Sequence, residues 1–298
     1  MATLENTAIQ DTYEGLLKIT DNAALTTANK IVSDGAGTAT GIKVGSGTTV
    51  EFTKLVSQTG LGNSTYFGEN AGIVDDFSAN RNVGIGYDSL RRCTTGFHNN
   101  IMGFQAGEDI NTGNDNNAMG NQALMSTTTG DHNIGIGFQA GGTNTGGSYN
   151  VSLGRNAGNG GRASNYYNIA IGQDAHKGSG NCNYAVCVGN NAGKGNGFGH
   201  GSIAVGAGAG EGAAVSGNYS CYLGYNAGRD TDSTVVVKTN MIALGANCDG
   251  NGSNTATIGD DAITALHLEK AGAAIVLKSA DGTAFSITVN NSGELVVS

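Results

Sequence analysis

Asn133-Ile134-Gly135-Ile136-Gly137-Phe138-Gln139-Ala140-Gly141 is one copy of a pattern that fills most of the chain. The pattern runs asparagine, apolar, small, apolar, glycine, two variable positions, alanine, then glycine or leucine. Aligned on the central glycine, copies fall at Gly68, Gly86, Gly103, Gly120, Gly137, Gly154, Gly172, Gly189, Gly206, Gly224, Gly245 and Gly259. Most steps are 17 or 18 residues, and the last two are 21 and 14. A fixed short period means an array of stacked units, none of which can bury its apolar side alone.

The residue before the central glycine is apolar in every copy, from Phe67 and Ile85 to Leu244 and Ile258. Two residues earlier it is mostly apolar too, as at Val83, Ile134, Val151 and Ile169, and a smaller residue such as Ala118, Gly135 or Ser152 sits between. This alternation predicts a short strand with one face buried. The segment is too short and too glycine-rich for a helix. Three residues after the glycine, a recurring small side chain (Ala106, Ala123, Ala140, Ala157) predicts a narrow interior or a close inter-chain contact. Seven residues before it, Gly96, Gly113, Gly130, Gly147, Gly199, Gly217 and Gly252 recur, with Asn165 in one copy. Glycine and asparagine share tolerance of positive φ, so this position is expected to be a corner.

Four residues before the central glycine, Asn82, Asn99, Asn116, Asn133, Asn150 and Asn168 form an unbroken run, with Ser202, Ser220 and Thr255 in later copies. In strict register these side chains can hydrogen-bond along the stack as a ladder; the alternative is a row of solvent-exposed turn asparagines. At about 4.8 Å per coil, twelve coils make a rod roughly 50–60 Å long.

Composition agrees with a fibrous, non-enzymatic protein. The 298 residues include 51 glycines, no proline or tryptophan, and only 13% charged residues, which is unusual for a globular enzyme. The apolar register argues against a disordered glycine-rich linker. A 17-residue coil has a thin core, so chains are expected to associate along the rod, with three-fold symmetry the natural choice for a fibre. A net charge of −9 and a pI near 4.9 disfavour nucleic acid and anionic membrane as partners. The opening Met1-Ala2-Thr3-Leu4-Glu5-Asn6 is polar and acidic and no long apolar run follows, so neither a secretory signal nor membrane insertion is expected. The cysteines Cys93, Cys182, Cys187, Cys221 and Cys248 are odd in number and lack a CxxC spacing. They are expected to be reduced and packed as small hydrophobes.

Three segments follow. Residues 1–60 read as a small β or adaptor module, with capping-box spacing at 11–14 that suits a short helix or an extended segment, strand patterns at 30–32, 41–44 and 50–56, and a turn at 34–37. Residues 61–264 are the array, about twelve 17-residue coils, broken at 160–167 and 229–240. Residues 265–298 read as a three-stranded meander, with strands at 274–277, 284–289 and 294–297 and turns at 281–282 and 290–293. Such a meander would cap the open end of a solenoid.

No catalytic constellation, metal site or cofactor site is assigned. His98 and His132 share one repeat position, but Asp115 occupies the copy between them and further ligands are lacking. Gly206 to Gly210 contains Gly-x-Gly-x-Gly without the strand-to-helix context of a nucleotide site. Asp230, Asp232, Asp249, Asp260 and Asp261 make an acidic tip, better read as a solvated face than a cation site. Tyr87, Phe104, Phe138 and Tyr225 each follow a central glycine. They can stack sugar rings as a glycan-binding stripe, or pack between chains.

Asn82-Val83-Gly84-Ile85-Gly86-Tyr87-Asp88-Ser89-Leu90 and residues 116–124 resemble the Asn-x-Ala-Ile-Gly-Tyr-x-Ala-Leu repeats of phage tail fibres and related virion appendages. Similar repeats build the left-handed parallel β-roll heads of trimeric autotransporter adhesins. Residues 13–22 with 31–37 resemble the start of phage fibre proteins, and residues 277–283 with 287–293 resemble their terminal hairpins. The resemblance implies an all-β, repetitive parallel β-solenoid or β-roll fibre and a homotrimer. It implies docking through residues 1–60 to other virion tail or capsid proteins, and assembly into the virion in the host cytoplasm. Its implied role is attachment to a host surface glycan or receptor. The alternatives are a bacterial cell-surface adhesin head and a glycan-degrading tailspike; the latter would need paired carboxylates that the repeat register does not supply.

Overall fold

In the computed structural model every copy of the repeat contributes one three-residue strand that stops at its central glycine. The structure describes residues 18–19, 32–33, 63–260 except 77, 79, 161–164, 179, 181, 196–197, 213–217, 230–238 and 250–251, and 275–297 except 280–282 and 291. The expected helix or extended segment at 11–17, the turn at 34–37, the strands at 41–44 and 50–56, and residues 161–164 and 230–238 of the two interruptions lie outside the described residues.

The chain divides into two units, Met1–Ser57 and Gln58–Ser298. In the first, β1 (Lys18–Ile19) pairs antiparallel with β2 (Val32–Ser33). The second holds the array: β3 (Thr65–Phe67), β4 (Val83–Ile85), β5 (Asn100–Met102), β6 (Asn117–Met119), β7 (Ile134–Ile136), β8 (Val151–Leu153), β9 (Ile169–Ile171), β10 (Val186–Val188), β11 (Ile203–Val205), β12 (Cys221–Leu223), β13 (Ile242–Leu244) and β14 (Ala256–Ile258). These twelve strands form one sheet in sequence order. Every pairing is parallel and in register, so that Ile134 lies between Asn117 and Val151. The array is therefore a parallel β-solenoid. Three further strands, β15 (Ile275–Lys278), β16 (Ala284–Val289) and β17 (Leu295–Val297), form a separate antiparallel meander. No helix occurs among the described residues.

The central glycine is dictated by backbone geometry. Gly137 has φ +130, and a Cβ built there would lie 2.6 Å from the carbonyl oxygen of Gly154 in the next coil. An L side chain is excluded twice, by conformation and by the approach of the neighbouring coil.

Among the described glycines seven residues earlier only Gly252 has the expected positive φ, +123; the others have a different role. Gly96, Gly113, Gly130 and Gly147 do not have positive φ. A Cβ at Gly96 would lie 2.5 Å from the Gly113 carbonyl oxygen, so close stacking of backbones selects them. The positive-φ corners lie two residues further on, in a column that runs Arg81, His98, Asp115, His132, Tyr149, Tyr167 and Tyr184.

The strands bury the side opposite to the one their hydrophobicity suggests. The small middle residues, Ala118, Ser152, Ala170, Cys187 and Ala204, point inward and are buried. Their apolar neighbours point out: Met119 is 53% exposed, Ile136 44% and Ile171 37%. The reason is space. Ala106, Ala123, Ala140, Ala157 and Ala175 are fully buried on the facing wall, and the coil between the walls is narrow. Large side chains such as Leu124 and Tyr222 enter where neighbouring glycines leave room. A Cβ at Gly135 would lie 2.8 Å from Leu124 Cγ, and one at Gly210 would lie 2.9 Å from Tyr222 Cδ2. Two apolar clusters result, one around Leu90, Ile101, Ile110 and Leu124, the other around Phe198, Tyr222 and Met241.

Candidate functional site

The asparagine column is internal. Asn82, Asn99, Asn116 and Asn133 are all but fully buried, and Asn150 and Asn168 nearly so. Each side-chain oxygen accepts the backbone N–H of the next asparagine, at 2.9 Å from Asn99 to Asn82 and 3.0 Å from Asn116 to Asn99. The side-chain amides of Asn99, Asn116, Asn133 and Asn150 donate to the same oxygens at 3.0–3.2 Å. Each amide also donates to a corner carbonyl, as Asn116 does to Gly130 at 2.8 Å. Both donors and the acceptor are satisfied, as a buried amide requires. Asn168 ends the run by accepting from Ala185 N at 2.8 Å. The column holds coils together and is closed to solvent, so it offers no binding chemistry.

A second amide ladder lies two residues after the central glycine, where Gln139 donates to Gln122 at 2.8 Å and Gln122 to Gln105 at 3.0 Å. Its signal in the sequence is Gln105, Gln122 and Gln139 at one repeat position.

The aromatic residues Tyr87, Phe104, Phe138 and Tyr225 are all exposed, yet they do not form one stripe. Tyr87 and Phe104 stack on each other with centroids 5.4 Å apart. Asn121 separates Phe104 from Phe138 in the register, and the Arg155 guanidinium lies 6.0 Å from the Phe138 centroid. Three of the four rings therefore already have a neighbour against one face. A longer ring column runs along the positive-φ corner, from His132 to Tyr149 (4.7 Å), Tyr167 (4.9 Å) and Tyr184 (5.2 Å). Sequence reading noticed only its histidine. Rings stacked in this way cover each other's faces within the column.

Asp115 sits between His98 and His132, 3.3 Å from His98 Nδ1 and 3.9 Å from His132 Nδ1. Among the described residues no group of three His, Cys, Asp or Glu side chains is placed to hold a metal. Asp230, Asp232 and Asp261 of the acidic tip lie outside the described residues. Gly206 to Gly210 forms the turn of one coil with no helix after it. Cys93, Cys182, Cys187 and Cys248 are buried and unpaired. Burial pushes the thiols of Cys93 and Cys182 up to about 12, so they are poor nucleophiles at neutral pH.

The most distinctive surface is the outer face of the sheet. Its twelve strands contain three residues each, 36 in all, and none is Asp, Glu, Lys, Arg or His. Two outward columns run its length, one ending at each central glycine and one two residues earlier. A shallow groove of about 270 Å³ opens in this face, lined by Val83, Met102, Met119 and Ile136 with Asn100 and Asn117. Comparison with family models, curated proteins and solved structures finds no match. Eleven strand spacings by three residues give the face a flat footprint on the order of 500 Å² before side-chain relief is counted. That already equals the largest apolar patches monomers expose, about 300–600 Å².

Proposed function

We propose that this chain is the subunit of a trimeric fibre, a structural virion protein of the tail-fibre or appendage type that takes part in host attachment and carries no enzymatic activity. The observation that carries the proposal is the uncharged apolar outer face of the solenoid. A face of this size is costly to leave in water. With side-chain relief it approaches the roughly 800 Å² per partner of a stable interface. Its apolar columns repeat once per coil, and the surface that matches such a lattice along its whole length is another copy of itself. The virion assignment rests on the resemblance of the repeats and of the two terminal segments to phage fibre proteins.

The mechanism is mechanical. Parallel chains bury their outer faces against one another, one end docks to the particle through residues 1–60, and the remaining surface meets the host. Light scattering on the purified protein tests the assembly. Three chains of 29.9 kDa give a mass of about 90 kDa, whereas a mass of one chain would refute the fibre. Adsorption of the purified protein to host cells tests attachment, and failure to compete with particles for the cell surface would refute that part.

A further inference from the structure

Of the 24 outward positions on the twelve strands (two per strand), only Thr65, Asn100 and Asn117 are polar. Thr65 lies on the terminal strand, whereas Asn100 and Asn117 are neighbours within the apolar columns, paired across β5 and β6. Each follows a ladder asparagine directly, as Asn99-Asn100 and Asn116-Asn117. The first of each pair is buried with its amide satisfied. The second is exposed, and its side-chain amide makes no hydrogen bond among the described residues. Both amides line the 270 Å³ groove between Met102, Met119 and Val83.

We propose that Asn100 and Asn117 form the polar layer that sets register and parallel orientation when identical chains pack outer face to outer face. The proposal rests on the association described above. A purely apolar face with one repeat per coil specifies register weakly. A slip of one coil, about 4.8 Å, exchanges one apolar contact for another and loses only the terminal coil. The asparagines remove that degeneracy. In register, Asn100 meets Asn100 and Asn117 meets Asn117, and the amides donate to and accept from one another. After a one-coil slip, one chain's Asn117 is level with its neighbour's Ile134, and the neighbour's Asn100 is level with Val83. Each then holds a buried amide without a partner. Orientation follows as well. The asparagines occupy the third and fourth coils of twelve, so antiparallel packing would set them against β12 and β11, which offer Cys221, Leu223, Ile203 and Val205. Buried asparagines fix register in coiled coils by the same physics.

The test is a spin-label distance measurement between chains, using Asn121→Cys, which lies off the strand face, in a Cys221→Ala background. The parent should give one narrow distance distribution. Asn100→Val with Asn117→Val should keep or raise thermal stability, while the distribution gains populations at longer distances, because a slip of n coils adds an axial offset of n times about 4.8 Å in quadrature to the lateral separation. A single unchanged distribution in that variant would overturn the proposal and leave the fibre standing. A monomeric parent would overturn the fibre itself. A second variant covers failure of the first to assemble. Asn100→Val with Ile134→Asn moves the pair up one coil. Its chains should form their own in-register assemblies and, when refolded with parent chains, sort away from them or pair one coil out of register. Free in-register mixing would overturn the proposal.

Discussion

The inner and outer sides of the same strands contrast sharply. In β7, Gly135 faces in while Ile134 and Ile136 face out; in β9, Ala170 faces in while Ile169 and Ile171 face out. In an ordinary half-buried strand the larger apolar residues would go inside. Here a coil of about 17 residues encloses so little volume that size, ahead of hydrophobicity, decides which side is internal. Polar side chains enter readily when they fit and are paired, as the asparagine column does. The displaced apolar residues gather on one uncharged surface, where burial requires another molecule.

The largest effect should come from the stacked central glycines. Gly137→Ala places a methyl against the next coil's carbonyl at φ +130 and should cost about 4 kcal/mol or more. Gly252 has a similar φ, +123, but nothing lies within 4 Å of the added Cβ. Gly252→Ala should therefore cost only about 1–2 kcal/mol of backbone strain. Urea unfolding of the two variants separates conformation from crowding, and equal losses would contradict the account.

Adjacent asparagines sharpen the contrast further. Asn116→Ala leaves the backbone N–H of Asn133, one N–H of its side-chain amide and the Gly130 carbonyl without partners and should cost about 3 kcal/mol. Asn117→Ala points outward and should change the stability of one coil stack by less than about 0.5 kcal/mol. Chemical denaturation of the pair checks this, and similar losses at both positions would break the inside–outside assignment.

His176 tests the interior through pH. Burial pushes its imidazole down to about 4 from the ordinary 6.5. Between those values the unfolded chain takes up a proton that the folded chain refuses. Stability is therefore full above about pH 6.5, falls as pH drops through the window, and loses up to about 3 kcal/mol by pH 4. His176→Asn, which suits the positive φ of 52 at this position, should remove that component. The difference between the two denaturation profiles at pH 7 and pH 4.5 isolates it from the carboxylates. A small effect also belongs to the external ring column, where Tyr167→Ala should cost about 1 kcal/mol, seen as a small shift in melting temperature.

Much of this fold was legible in the sequence because stacking forces strict register. The strand positions, the twelve copies and the asparagine column all follow from one period. The burial side was not legible from alternation, because Ile-Gly-Ile and Ile-Ala-Ile fit either face outward and only the width of the closed coil decides. Gly96, Gly113, Gly130 and Gly147 were misassigned, whereas Gly252 has the expected positive φ, because close backbone approach and positive φ select the same residue. The ring column and the Gln105-Gln122-Gln139 ladder were visible as recurring types at fixed positions, but each tyrosine or glutamine run spans only three consecutive copies of the twelve, and other residue types hold those positions elsewhere. Asn100 and Asn117 are exceptions at an otherwise mostly apolar strand position, and only the orientation of the strand places them on the outer face.

The most direct test of the central claim, that the apolar columns face outward and join chains, is to place charge on them. Ile136→Lys with Ile171→Lys should retain the β-sheet circular dichroism and cooperative unfolding of the parent while its mass in light scattering falls from three chains to one. Loss of the folded signal would mean these residues are interior, and an unchanged mass would mean the chains associate through some other surface.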